Sequence, residues 1–175
     1  LREQVMSPGS LWMADLGYWT LKWLRRLNEA GVYFLLRYKP GILLWSEGKR
    51  LNLLERLPQE VGQSREWLVD VGEGKQMRNV RLLAHRVPDE VASLREKRYR
   101  EYAQAHSKPV TAQTVALMKW TLVVTNVPQS LLTCSQAFLL LHARWQIELL
   151  FKLWKQEALV DQWATEQPWK VLCEV

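Results

Sequence analysis

Three features of the sequence predict an α/β fold. The first forty residues read as strand, helix, strand. A β-branched apolar run, Thr121 to Thr125 (TLVVT), lies far downstream. A long helical pattern from His142 to Glu157 combines apolar residues with a charged stripe. Short apolar runs alternating with amphipathic helices are the pattern of a sheet covered by helices.

Ser10 to Ala14 (SLWMA) is a short apolar run ending at Asp15, and reads as a buried strand that delivers a carboxylate at its carboxyl end. Asp15-Leu16-Gly17-Tyr18 then turns. Thr20 suits the N-cap of a helix running to Ala30, with Leu21, Leu24 and Leu27 along one side. Gly31 is a natural stop for that helix. Val32 to Lys39 (VYFLLRYK), β-branched and aromatic, reads as the next strand, closed by Pro40-Gly41.

From Ile42 to about Val110 the texture changes. Gly48, Gly62, Gly72 and Gly74 punctuate shorter segments, of which Glu66 to Val71 and Asn79 to Ala84 read as strands. Pro88 to His106 opens with Pro and two acids and turns basic, the order that a helix dipole favours. This middle reads as an inserted strand and helix subdomain, residues 41–118, between core segments at 1–40 and 119–175. Thr111 to Lys119 is a weak helix, Thr121 to Thr125 a buried strand and Asn126-Val127-Pro128 a turn. Thr133 with Gln136 forms a capping box that opens the long helix. Pro168 then interrupts, and Trp169 to Val175 begins another helix.

Composition narrows the function classes. With 175 residues and 48% hydrophobic composition, the chain has room for one domain with a real core, and 24% charged residues argue against disorder. Cys134 and Cys173 make no CxxC pair and the three His no zinc spacing, so a disulfide scaffold and a zinc site are both disfavoured. The longest fully apolar run, Ala137 to Leu141, is far short of the ~20 residues of a membrane span. A cytoplasmic protein with no membrane contact is expected. A net charge of +6 suits an acidic partner, though an ordinary basic protein carries as much. Most of the ten Trp are expected in the core.

At ~100° per residue, Arg144, Glu148 and Lys155 fall at about 0°, 40° and 20° around the helix, a stripe about 16 Å long. Leu140, Ala143, Ile147, Leu150, Phe151 and Trp154 form an adjoining arc that should be buried. One acid between two bases suits a metal ion flanked by phosphates. If the strand ending at Asp15 belongs to a sheet on which this helix packs, Asp15 and Glu148 meet at the strand ends, where α/β sheets bind ligands. Their oxygens suit Mg²⁺ or Mn²⁺, and two such metals about 3.5–4 Å apart suit in-line attack on a phosphodiester. Taken singly, each residue has a plainer role. A strand-end Asp is commonly a turn former. Arg144 with Glu148, or Glu148 with Lys152, is a surface i,i+4 pair worth ~0.3 kcal/mol. Arg95 to Arg100 (REKRYR) reads as a solvated face, and Trp45 and Trp67 as core residues rather than base-stacking platforms.

ADLGYW at Ala14 to Trp19, TNVP at Thr125 to Pro128 and RWQIELLFKLWKQ at Arg144 to Gln156 together resemble the DDE transposases of bacterial insertion sequences. Within them the likeness is to the group with a Tyr-Arg-Glu-Lys signature and a β-rich insertion before the last acid. That signature is spaced R-x3-E-x6-K, which Arg144, Glu148 and Lys155 match, and Gln167 to Val175 resembles the segment that follows it. The resemblance implies an RNase H-like catalytic core, partial because its first strands are missing, with an inserted mixed strand and helix subdomain. It implies that Asp15 is the second catalytic Asp and Glu148 the catalytic Glu, both binding Mg²⁺ or Mn²⁺. Arg144 and Lys155 would contact transposon-end DNA. Double-stranded DNA is the implied partner, a homodimer the implied state of the intact enzyme, and the bacterial nucleoid its place. Two departures stand out. Leu141 occupies the position of the signature Tyr, and the first catalytic Asp belongs upstream of Asp15, where nothing precedes Leu1 to supply it. The expectation is a transposase fragment, inactive alone, from an enzyme of metal-dependent strand cleavage and strand transfer. The alternatives are a non-catalytic DNA-binding or transposase-interacting remnant, and a basic α/β protein with no nucleic-acid role.

Overall fold

The computed structural model describes residues 6–14, 16–73 and 77–157, without the side chains of Arg78, Phe151, Lys152 and residues 155–157. Asp15, the Lys155 side chain and the helix expected from Trp169 therefore lie outside the described residues. Residues 1–137 form one compact unit and 138–175 a second.

The opening strand–helix–strand unit is as the residues dictate. β1 (Leu11–Met13) and β2 (Tyr33–Arg37) pair in parallel, Trp12 opposite Phe34, with α1 (Leu21–Glu29) as the crossover. Thr20 caps α1 by accepting from the Trp23 amide at 3.3 Å, and Gly31 turns the chain with φ +68°. β1 stands at the edge of the sheet, paired on one side only among the described strands. It is therefore half-buried, with Leu11 40% exposed, rather than enclosed as expected.

β3 (Leu44–Ser46) and β4 (Lys49–Arg50) form a hairpin through Glu47-Gly48, both with positive φ (51° and 82°) as a type I′ turn requires. Next come α2 (Leu53–Arg56), β5 (Ser64–Val71), β6 (Met77–Arg86), α3 (Asp89–Ala105), α4 (Ala112–Leu117), β7 (Trp120–Thr125) and α5 (Cys134–Glu157). Among the described residues, seven strands join one sheet in the order β1-β2-β7-β6-β5-β3-β4. β6 pairs antiparallel with β7 from Arg81–Thr125 to Arg86–Trp120, so the strands of residues 41–118 continue the sheet begun by β1 and β2.

The sheet centre is buried on both faces, as its continuous apolar runs require. Phe34, Leu36, Leu82 and Val124 form one core with Leu24 and Leu27 of α1, Leu53 of α2 and Leu117 of α4. Leu35, Leu83 and Val123, of opposite parity, are equally inaccessible.

Of two expectations of burial, the one for Trp holds for most of the described residues and the one for α5 is corrected. Trp19 is buried, and Trp12, Trp23, Trp67 and Trp120 pack at the margin of the core, but Trp145 and Trp154 are about half exposed (48% and 53%). The α5 arc expected to be covered is open as well, with Ile147 55% and Leu150 49% exposed. Apolar residues occur all round α5, including the exposed Leu139 and Leu153, so no single surface can bury them together.

Candidate active site

Because β1 and β2 are parallel, their carboxyl ends share one end of the sheet, and the antiparallel β7 starts there. Tyr38, just past β2, donates its amide to the Leu122 carbonyl at 2.8 Å. β1 stops at Met13, two residues short of Asp15, and Leu16 opens the short 3-10 turn that follows.

The opposite end of the sheet centre holds the root of α5 through polar residues inside apolar runs. Arg81 is buried (6% exposed) and donates to the carbonyls of Val127 and Leu132 at 2.8 Å each, and to Glu66 at 2.6 Å. Thr125 donates to the Phe34 carbonyl at 2.6 Å and accepts from the Val127 amide. Asn126 accepts from the Phe34 amide at 2.7 Å and donates to Val32 and Asn28. TNVP is thus a latch between β2 and β7. Its positional role was not legible beforehand, although a polar pair ending a buried strand was the available signal. Beyond the latch, the capping box forms as expected: the Thr133 amide donates to Gln136 Oε1 at 2.9 Å, and the Gln136 amide to Thr133 Oγ1 at 3.4 Å.

On α5, Arg144 Nη1 lies 2.5 Å from Glu148 Oε1, with the side chains 22% and 42% exposed. The plainer alternative for these residues, an i,i+4 ion pair, is therefore present. At this exposure it contributes about 0.3–0.5 kcal/mol, little enough for a divalent cation to compete for the carboxylate. Among the described residues, no group of three or more His, Cys, Asp or Glu is placed to hold a metal ion. Of the expected donors only Glu148 is described. Its hard oxygen is of the kind that Mg²⁺ and Mn²⁺ prefer.

Tyr38 and Cys134 are held in forms unsuited to nucleophilic or acid–base chemistry near neutral pH. Burial pushes the Tyr38 hydroxyl up to about 12, opposed by Arg50, while the hydroxyl donates to the Ile42 carbonyl at 2.8 Å. Burial also raises the Cys134 thiol, reinforced by Glu66, which keeps it protonated and poorly nucleophilic. Trp45 donates its ring N–H to the Gly72 carbonyl, and Trp67 packs against the core. A cavity of about 840 Å³ between α3 and α4 contains Arg86 and Arg100, already paired with Asp89 and Glu96.

A family model described as the transposase DDE domain matches residues 1–175, the whole chain. The chain belongs to the DDE transposase family. Among curated relatives, this DDE domain is 25% identical to the transposase for insertion sequence element IS231F of Bacillus thuringiensis subsp. israelensis, over 97% of the chain and 39% of that protein. It is 24% identical to the IS231D transposase of B. thuringiensis subsp. finitimus, with the same coverage, and 26% identical to the IS1151 transposase of Clostridium perfringens, over 86% of the chain and 36% of that protein. The chain thus spans about two fifths of the length of these relatives. No solved structure matches it. Among the described residues, no helix is long and apolar enough to cross a membrane.

Proposed function

We propose that this DDE domain is part of an insertion-sequence transposase of the Tyr-Arg-Glu-Lys group, which cleaves and transfers DNA strands at transposon ends with a divalent metal. The observation that carries this is the R-x3-E-x6-K spacing of Arg144, Glu148 and Lys155 on one continuous helix, α5, in a chain matched throughout by the family. The core is taken as RNase H-like, with residues 41–118 inserted and continuing its sheet. The partners are double-stranded DNA and a second copy of the enzyme, at the nucleoid.

Asp15 and Glu148 would hold Mg²⁺ or Mn²⁺, which supplies charge neutralisation and an activated water for phosphodiester attack. Arg144 has two tasks. It neutralises Glu148 in the ion pair, and with Glu148 engaged by the metal its guanidinium would be available to a DNA phosphate, with Lys155 as a second cation along the stripe.

Mn²⁺ binding to the purified chain, measured by water-proton relaxation, tests the carboxylate pair. Glu148→Gln and Asp15→Asn should each weaken binding at least about tenfold, the loss of one charged ligand of a hard cation. Unchanged Mn²⁺ affinity in both variants would overturn the assignment. The Arg144–Glu148 pair also favours a second reading, a non-catalytic DNA-binding remnant. That reading would be supported by duplex binding unaffected by Mn²⁺ and by Glu148→Gln.

A further inference from the structure

At the end of the sheet where β1 and β2 finish, a cavity of about 300 Å³ is lined by Arg37, Arg95 and Arg98, with Trp120, Thr121 and Leu16. Arg37 ends β2, while Arg95 and Arg98 lie one turn apart on α3. No carboxylate lines it among the described residues. Arg25, Arg86, Arg100 and Arg144, by comparison, each have an acidic partner. Arg37 and Arg98 have no ion-pair or hydrogen-bond partner among the described residues.

Arg95 is half-buried and donates to the Trp120 carbonyl at 3.3 Å and to Thr121 Oγ1 at 3.0 Å, which fixes its guanidinium at the cavity wall. Burial and the nearby Arg37 charge both lower its affinity for a proton, the signature of a cation in unfavourable company. Like charges gathered without a counter-ion cost stability unless an anion completes the cluster. Planar guanidinium donors match the tetrahedral oxygens of a phosphate.

We propose that Arg37, Arg95 and Arg98 form a phosphate-binding cleft that holds the backbone of a DNA strand beside the carboxyl ends of β1 and β2. DNA is favoured over a free anion by position. Arg37 and Arg98 are exposed at the mouth, open to a long ligand, and Leu16 in the wall is the residue after Asp15. A strand gripped here lies beside Leu16, the next residue in sequence after the proposed catalytic Asp15. The cleft therefore rests on the DNA-processing function proposed above.

The test uses the purified chain and a fluorescent duplex, followed by anisotropy over a salt series. Arg37→Gln/Arg98→Gln should weaken binding at least about tenfold and flatten the logarithmic salt slope by up to about 1.8, ~0.9 per lost phosphate contact. Arg37→Lys/Arg98→Lys, which keeps both charges, should retain most of the slope. Arg25→Gln/Arg56→Gln, the same charge loss on α1 and α2, should change it less than the cleft variant. Circular dichroism should give the same fold for all, because the substituted side chains are exposed. Equal losses in the cleft and control variants would reduce the effect to diffuse charge and overturn the cleft. Thermal stabilisation by inorganic phosphate that the cleft variant loses, with its duplex binding intact, would make the site one for a free anion and also overturn the proposal. Wild-type duplex binding with an unaffected cleft variant sinks the cleft alone. A wild-type chain that binds no duplex at any salt sinks the transposase reading with it.

Discussion

The two ends of the sheet centre treat arginine in opposite ways. At the TNVP end, Arg81 is enclosed, and protein groups answer it: two carbonyls and Glu66. At the other end, Arg37, Arg95 and Arg98 gather round a cavity that no acid lines among the described residues. A buried charge held by several protein partners is a structural fastening, because removing any member leaves the others desolvated and unsatisfied. An exposed cluster of one sign leaves its donors for something brought from outside. Burial and partners, not residue type, separate the two roles.

This contrast is sharpest in stability measurements. Arg81→Ala should be the most damaging single change, costing about 3–5 kcal/mol in urea unfolding, because it strands Glu66 and two loop carbonyls. Asn126→Ala should cost about 2 kcal/mol by orphaning the Phe34 amide and the Val32 carbonyl.

Tyr38 provides a pH-dependent check of the same sheet. Its folded value is raised to about 12 above the usual 10, so its stabilising contribution is complete below pH 10 and is lost as pH rises from 10 through 12. Tyr38→Phe should flatten the alkaline limb of a stability–pH curve. The Arg37→Gln/Arg98→Gln pair should lie within about 0.5 kcal/mol of the parent, or slightly above it, while losing duplex affinity. A large destabilisation of that pair would erase the distinction between fastening and open site. The smallest effect, about 0.3–0.5 kcal/mol, is expected for Glu148→Gln, which breaks only the exposed pair with Arg144.

Much of the fold was legible wherever the signal is local. The Thr20 cap, the Gly31 stop and the Thr133–Gln136 box rest on contacts within a few residues, and the strands around Phe34 and Val123 on local β-branched and aromatic composition. The β3–β4 hairpin was not legible, because Glu-Gly is a poor advertisement for a type I′ turn compared with Asn-Gly. Arg95 and Arg98 resembled a solvated helix face, and on charge pattern alone that was reasonable. Their position against Arg37 depends on how α3 lies across the start of β7. The apolar arc of α5 misled for the opposite reason, since a helical wheel gives the side on which residues lie but not whether anything covers it.

The sequence by itself determined the α/β class, the family, and the stripe of Arg144, Glu148 and Lys155 along one helix, since each depends on spacing that a regular backbone converts directly into direction. Only the tertiary structure decided that residues 41–118 extend the same sheet, that TNVP and Arg81 are fastenings, and that three arginines from β2 and α3 share a cavity. The physical reason is strand register. It sets which distant side chains become neighbours, and the free energy of a charge depends on those neighbours far more than on its place in the chain.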